Sequence, residues 1–501
     1  MKKQIKGILI YPPNQLMDVE TPRPDGSLGP LYLAAALESQ GIKTDILDAS
    51  VGSRENNLEN TFYRNVKQKN GLTRIGMNFD EIAEYVENKK YDFVGISSNF
   101  TPQTKMAFET AKAIKKANEK ILIYAGGVNA RALKERFLKT GYFNGICLTE
   151  GELIFPRLFK EEIENIPGFI YIKNGEIKKN PVNEECFPES LDDLLIPAWE
   201  KLPFEKYEKI ASPHGVDVTG KNFRYAPIMT SRGCRFKCLY CHTSKEKSGE
   251  YGEIGKLRLH SIGRVVEEID KLKSLGIKRL FFEDDSLLSE KQRIKEIFNI
   301  IKDRGMSIAD TNGINIIDFY DKKNGRYEID KDYIKILRQA GFEQMVFPVE
   351  SGSQRILNKY ASGKVQLDKM NLPLLMRAVT DRGIKAPVNI MIGFPDETEQ
   401  EIQESITLAK KLMDSGAPYV TFFIPIPFPG SKLYDIAIKE GYLNENFDTD
   451  IFNWKRPVMK NTIISPKRLE EIRDETNEKI NTKQHLEMRL KQSIGFRWRS
   501  N

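Results

Sequence analysis

Three cysteines crowd into one short run, Ser231-Arg232-Gly233-Cys234-Arg235-Phe236-Lys237-Cys238-Leu239-Tyr240-Cys241-His242. No other feature restricts the fold as much, because three thiols that share one inorganic centre must sit on a single well-placed loop. The run follows an apolar stretch at Pro227–Ser231 that reads as a strand. Structural zinc wants four closed ligands. Only three cysteines are present, and His242 adjoins Cys241, which is poor geometry for a fourth bond to the same ion. A thiolate triplet suits a 4Fe-4S cluster with one iron left open, and an open iron can take a small chelating ligand. A zinc site and buried, unliganded cysteines are the alternatives. The other two of the five cysteines, Cys147 and Cys186, are isolated in sequence. Their isolation argues against a second cluster, and the low count against a disulfide framework; together they fit a reducing compartment.

The chain of 501 residues is long enough for about three domains. Its first 150 residues alternate short apolar runs (Ile5–Tyr11, Thr44–Leu47, Phe93–Ser97, Ile121–Tyr124, Gly145–Leu148) with helical patterns at Leu28–Ser39, Thr104–Asn118 and Ala130–Lys139. This predicts an α/β fold, an N-terminal doubly wound parallel sheet of Rossmann-like type. No GxGxxG follows the first strand, which disfavours an ordinary dinucleotide fold. Asn174-Gly175 predicts a hairpin over 168–180, and a Pro-rich linker follows, with Pro213 and Pro227 among its prolines.

From about Tyr225 the alternation resumes with six strand candidates: Pro227–Ser231, Arg279–Glu283, Ser307–Thr311, Gln344–Glu350, Pro387–Gly393 and Tyr419–Pro425. Helical patterns lie between them, so a partial (β/α)6 barrel is expected. Leu469–Ile480 has helical spacing, and Arg489, Lys491, Arg497 and Arg499 make the end basic. The expected division is 1–165, 166–224 (hairpin and linker), 225–440 (barrel) and 441–501 (helical C-terminal region). With 77 basic against 70 acidic residues the net charge is only +7, which does not call for nucleic acid. No secretory pattern opens the chain and no run of about 20 apolar residues exists. No transmembrane segment and a cytoplasmic location are therefore expected.

C-x-x-x-C-x-x-C after a strand, with Tyr240 before the last cysteine, resembles the radical S-adenosylmethionine superfamily. The resemblance implies that Cys234, Cys238 and Cys241 ligate a 4Fe-4S cluster whose open iron chelates S-adenosylmethionine, with Tyr240 near its adenine. It also implies that Glu283 and Asp284, in Phe281-Phe282-Glu283-Asp284-Asp285, hold the cofactor's ammonium. Glu350 and Ser351, in Val349-Glu350-Ser351-Gly352-Ser353, would contact its ribose and carboxylate. Gly393, in Ile390-Met391-Ile392-Gly393-Phe394-Pro395, would lie beside the adenine. Pro427-Phe428-Pro429-Gly430-Ser431 resembles the sixth-strand ending. Bland readings stand beside each: a strand-end acid is often a helix cap, and Gly-Pro turns close many strands.

The doubly wound domain ahead of a radical domain resembles the cobalamin-binding subclass. On that resemblance Gly29, Ser97, Ser98, Gly126, Gly127, Glu150 and Gly151 contact cobalamin. Glycines permit close backbone approach to a bulky corrin, and the serines could hydrogen-bond its buried tail. The histidines are His214, His242, His260 and His485. The first domain has none, so it cannot supply the D-x-H-x-x-G loop that ligates cobalt elsewhere. Cobalamin is expected with its own base detached and no histidine below cobalt. The implied function is a cobalamin-dependent radical methyltransferase that uses a 5′-deoxyadenosyl radical and methylcobalamin to methylate an unactivated carbon. A cyclase or rearrangement enzyme of the same subclass is the alternative. A tRNA methylthiotransferase lacks support, since it would need a second cysteine triplet, and a non-enzymatic cofactor carrier is the remaining reading. A small-molecule or lipid-like substrate and an electron donor such as flavodoxin or ferredoxin are the implied partners.

Overall fold

The computed structural model describes residues 4–17, 20, 22–24, 26–210, 223–310, 312–452 and 456–497, with side chains to 491. The linker residues 211–222, with Pro213 and His214, lie outside it, as do Thr311 and the side chains of Arg497 and Arg499. The chain divides into two units. The first takes the described residues up to 210 together with Glu246–Ile254, and the second the remainder up to 491.

The first unit is built on one sheet. Strands β1 (Lys6–Tyr11), β2 (Lys43–Asp48), β3 (Phe93–Ser97), β4 (Leu122–Gly126) and β5 (Gly145–Cys147) run parallel in the order 2-1-3-4-5. That order reverses between β1 and β3, and ligands of such sheets bind beyond the strand ends at that point. Gly7 in β1 has a packing reason, because a methyl group there would lie 2.0 Å from the Phe93 ring. The expected boundary at 165 does not end the sheet. The hairpin β6 (Phe169–Lys173) and β7 (Glu176–Lys179) adds to it, with β6 antiparallel to β5. Phe169, Ile170 and Tyr171 are buried, so the apolar half of the hairpin joins the core. Its turn has positive φ at both Asn174 and Gly175.

Helices Leu28–Ser39, Phe79–Asn88, Thr104–Ala117, Val128–Ala132 and Lys134–Lys139 flank the sheet. The single helix expected over Ala130–Lys139 is two pieces, broken at Leu133. Cys147 and Cys186 are free thiols buried in one apolar cluster with Phe93, Phe155 and Phe169. They are packing residues here. The stretch after the hairpin, expected as linker, is docked. Trp199 is fully buried, Tyr207 Oη donates to Asp48 Oδ2 at 2.8 Å, and Lys206 Nζ donates to four carbonyls, of Val51, Gly52, Ser53 and Asn56. Within the same unit, Glu246 pairs with Arg131 at 2.6 Å and Glu250 with Lys134 at 3.0 Å.

The second unit holds parallel strands β8 (Tyr225–Ile228), β9 (Arg279–Phe282), β10 (Ser307–Asp310) and β11 (Phe342–Gln344) in one sheet. Strands β12 (Phe347–Glu350), β13 (Val388–Met391) and β14 (Val420–Phe423) form a second. A single bridge from Gln344 to Lys385 joins the two sheets. The fourth barrel strand, expected unbroken, is thus two pieces parted at Met345-Val346. There Val346 N donates to Asp310 Oδ2 at 2.9 Å instead of to the ladder. A second Asn-Gly turn, Asn324-Gly325, closes an unanticipated hairpin of Tyr320–Lys323 and Arg326–Ile329.

Helix Pro466–Ile480 packs on β14, and Asn481 closes that strand's edge: Val420 N donates to Asn481 Oδ1 at 2.9 Å and Asn481 Nδ2 to Val420 O at 2.8 Å. The tail therefore blunts an open sheet edge. No helix among the described residues is long and apolar enough to cross a membrane.

Candidate functional site

The cysteine run leaves β8 through a two-residue antiparallel pair, Ser231–Arg232 with Arg258–Leu259. Gly233 must then turn at φ +77°, and a methyl there would lie 2.2 Å from Lys256 O. Beyond it the loop is tied at successive points. Cys234 N donates to Gly255 O at 3.2 Å, Lys237 N to Ser362 Oγ at 3.2 Å, and Leu239 N to Tyr360 O at 2.8 Å. Leu239 O accepts from Leu433 N at 2.7 Å. Cys238 is buried, and Cys234 and Cys241 are partly exposed. Burial pushes the Cys241 thiol up to about 12, with Asp285 adding to the shift. Burial also raises Cys238, against the pull of Lys364. Among the described residues no three His, Cys, Asp or Glu side chains converge on a single ion. Thiolates that hold a four-iron cluster stand farther apart than the ligands of one ion, and three soft sulfur donors on one loop match iron–sulfur chemistry.

Several residues expected at S-adenosylmethionine are engaged by the protein itself. Asp284 is buried and turned toward the root of the cysteine loop. Its carboxylate accepts from Thr230 N (3.0 Å), Thr230 Oγ1 (2.8 Å) and Ser231 Oγ (2.6 Å), while burial raises its pKa. Ser351 is fully buried; its Oγ lies 3.2 Å from Ser405 Oγ and accepts from Ser353 N. It shapes the turn where Gly352 presses on helix Glu399–Met413, a methyl on Gly352 meeting Glu404 at 2.5 Å. Gly393, at φ +94°, makes room for Leu469 of helix Pro466–Ile480, 2.2 Å from where a methyl would stand. Its N–H donates to Glu397 Oε2, whose carboxyl burial pushes up to about 8. Glu283, by contrast, is half-buried at the end of β9.

Tyr240 does not stand clear. Its ring packs among Ile356, Tyr360, Phe394 and Leu433, and its hydroxyl donates to Glu350 Oε1 at 2.6 Å. Glu350 also pairs with Lys364 Nζ at 2.8 Å. Sequence reasoning missed Lys364, which nothing local to Ala361-Ser362-Gly363-Lys364 distinguishes.

Methyl groups placed on Gly29, in the first turn of helix Leu28–Ser39, and on Gly126, at the end of β4, would meet no atom within 4 Å. Gly127, at φ +99°, begins the next helix and nearly touches Ser98 O and Asn99 Oδ1. Ser98 is buried and accepts from Asn129 Nδ2 at 2.9 Å, so its hydroxyl oxygen is already engaged. Asn129 Oδ1 is a buried acceptor with no partner among the described residues. Two glycines that face open space and an unsatisfied buried acceptor fit the close backbone approach and buried tail of a large polar-edged macrocycle. Ser97, Glu150 and Gly151 are half-buried at the same edge.

An open parallel half-barrel with three thiols on the loop after its first strand is the architecture of a radical S-adenosylmethionine enzyme. The comparisons agree. The Radical SAM superfamily model matches residues 228–409, and the B12 binding domain model residues 26–159. An uncharacterised methyltransferase of Pyrococcus horikoshii is 30% identical over 407 residues, 79% of each chain. The cytidylyl-2-hydroxyethylphosphonate methyltransferase of Streptomyces wedmorensis is 25% identical over 88% of this chain and 83% of its own. In fold, the radical S-adenosylmethionine methyltransferase TsrM of Kitasatospora setae, solved with cobalamin and a [4Fe-4S] cluster, superposes with a TM-score of 0.61. It covers 87% of this chain and 75% of its own, at 15% identity. The chain belongs to the cobalamin-dependent family of radical S-adenosylmethionine enzymes, whose cofactors are a 4Fe-4S cluster, S-adenosylmethionine and cobalamin.

Proposed function

We propose that the protein is a methyltransferase that places a methyl group on an unactivated carbon. The observation that supports this most is the 30% identical methyltransferase relative, whose match covers 79% of each chain. When bound, the cluster and S-adenosylmethionine supply a carbon-activating radical, and cobalamin supplies the methyl group. Cys234, Cys238 and Cys241 would hold the cluster on a loop already tied at several points. Glu283, half-buried at its strand end, would accept from the cofactor's ammonium. Asp284, Ser351 and Gly393 shape that site from behind: Asp284 fixes the loop root, Ser351 the turn after β12, and Gly393 the seat of helix Pro466–Ile480. Gly29, Gly126 and Asn129 would receive cobalamin, with Ser97, Gly127, Glu150 and Gly151 along the rim.

A small or lipid-like substrate, a flavodoxin or ferredoxin as donor and a cytoplasmic setting belong to the same reading. The methylthiotransferase alternative is disfavoured by Cys147 and Cys186, which are core residues rather than part of a second triplet. The test is anaerobic reconstitution with iron, sulfide and cobalamin, followed by incubation with metabolite extract and methyl-labelled S-adenosylmethionine. Label in a product heavier by one CH2, with 5′-deoxyadenosine released, is the expected result. A product that loses hydrogen without gaining label would establish the cyclase reading instead.

A further inference from the structure

Residues 246–254 form a strap that the chain contributes to the first unit from within the second, leaving after Lys245 and returning at Gly255. Both of its ends lead into the cysteine loop. Upstream, the single turn His242–Ser244 joins it to Cys241, whose carbonyl accepts from Ser244 N at 3.3 Å and from Ser244 Oγ at 2.9 Å. Downstream, Gly255 O accepts from Cys234 N at 3.2 Å. Within the first unit the strap is seated mainly by charge. Glu246, 6% exposed, pairs with Arg131, 9% exposed, at 2.6 Å. Glu250 takes Lys134 at 3.0 Å and Lys179 at 2.6 Å, and Lys134 Nζ stands 5.6 Å from the centroid of the buried Tyr251 ring. Gly252 turns at φ +64°, where a methyl would lie 2.6 Å from the Phe187 ring. Arg131 belongs to the short helix Val128–Ala132, which opens at Gly127 and also carries Asn129. The buried acceptor assigned above to cobalamin and the cation that grips the strap are therefore two residues apart on one helix. A buried ion pair adds little net stability compared with apolar packing, and its best-attested use is to fix a register or a switch. This one is incompletely satisfied, because Arg131 Nε is buried with no acceptor among the described residues. An unmet buried donor weakens docking, so the strap is poised rather than locked.

We propose that Glu246–Ile254 couples the two cofactor sites. Cobalamin seated at Asn129 fixes helix Val128–Ala132, Arg131 on that helix holds Glu246, and the docked strap steadies both ends of the cysteine loop. Arg131 and Glu246 are positioning residues in this scheme and touch neither cofactor. The inference rests on the cobalamin and cysteine assignments proposed above. Coupling of this kind is reciprocal: the factor by which bound cobalamin favours the ordered loop is the factor by which a filled loop favours cobalamin.

The experiment measures the affinity of the full chain for hydroxocobalamin by anaerobic equilibrium dialysis, in the iron-free and the cluster-reconstituted forms. Hydrogen exchange over 246–254 is followed in the iron-free form with and without cobalamin. The wild type is expected to bind cobalamin at least about fivefold tighter with the cluster present, and cobalamin is expected to slow exchange over the strap. Glu246→Gln, which keeps the shape and removes the charge, should bring the ratio of the two affinities close to one while cobalamin still binds. General damage would weaken both forms together and leave that ratio unchanged. A wild-type ratio of one, strap exchange that cobalamin leaves unaltered, or a Glu246→Gln ratio equal to wild type overturns the inference. If Glu246→Gln does not fold, Glu250→Gln decides: a lower ratio supports the inference and an unchanged one overturns it. Failure of the inference alone leaves both cofactors bound. A wild type that binds no cobalamin or takes up no iron refutes the underlying assignment, and the inference with it.

Discussion

Replacing Asp284 with alanine is expected to destabilise the protein before any cofactor is added. The carboxylate serves three buried donors, Thr230 N, Thr230 Oγ1 and Ser231 Oγ, at 2.6–3.0 Å. Each buried donor left without an acceptor costs about 1–3 kcal/mol. Two are hydroxyls that can rotate toward other acceptors, and removing the carboxylate also relieves the burial that raises its pKa. A net loss of about 3 kcal/mol follows from these opposing contributions. Asp284→Asn keeps one acceptor oxygen but turns an NH2 group toward donors, so a loss of about 1–2 kcal/mol is expected. The assay is anaerobic urea unfolding of the metal-free protein, with iron uptake measured afterwards. Because Ser231 enters the pair that anchors the loop, poorer iron retention should accompany the lost stability. A variant as stable as wild type to within about 0.5 kcal/mol, but weak in binding S-adenosylmethionine, would refute this account and return Asp284 to the cofactor.

Lys206→Met removes an ammonium that serves four carbonyls of the 51–56 loop; about 2 kcal/mol should be lost, with faster hydrogen exchange across that loop. Gly393→Ala forces a methyl into Leu469 at φ +94° and should cost about 2–4 kcal/mol by thermal unfolding, and Leu469→Ala in the same chain should recover the steric share but not the backbone share. Glu397 has a carboxyl pushed by burial to about 8, against roughly 4.3 when unfolded. Between those values the folded state binds more protons, so its contribution to stability is intact in acid and falls as pH rises toward 8. Comparing urea unfolding of wild type and Glu397→Gln from pH 5.5 to 8.5, the variant should show a shallower decline, by up to about 1.4 kcal/mol per pH unit.

Periodic segments were legible where one face of an element is apolar. Strand Phe93–Ser97 and helix Leu28–Ser39 lie at the ends their patterns indicate. Helix Phe79–Asn88 escaped notice although Asn78 and Glu81 form a capping box that is written in the sequence. The second Asn-Gly hairpin was likewise written at Asn324-Gly325. The break at Met345-Val346 had no local signal, because its cause is Asp310, remote in sequence. The same distinction governs the site. Three thiols on one loop are a local pattern. A strand-end carboxylate such as Asp284 reads alike whether it faces a ligand or a neighbouring strand, and only the fold shows Thr230 and Ser231 beside it. Lys364 acquires its meaning from Glu350 and Tyr240, which the chain brings in from elsewhere.

The ties on the cysteine loop bear on how a cluster can be taken up. Ordering backbone costs about 1–2 kcal/mol per residue, so nine free residues from Gly233 to Cys241 would oppose metal binding by about 10–20 kcal/mol. Small zinc domains meet such a cost with the metal itself and unfold without it. Here Gly255, Tyr360, Ser362 and Leu433 hold the loop by hydrogen bonds, and Tyr240 is packed against Phe394 with ring centroids 6.1 Å apart. The folding of the whole barrel therefore orders the loop, and iron meets thiols already gathered on one short turn. The partners at Tyr360, Phe394 and Leu433 belong to the later half of the barrel, so the loop after the first strand is completed only when the last strands and helices close over it. Cluster uptake and barrel closure are coupled in that direction: a defect in the closing elements should impair iron retention, while removing iron should leave the barrel folded.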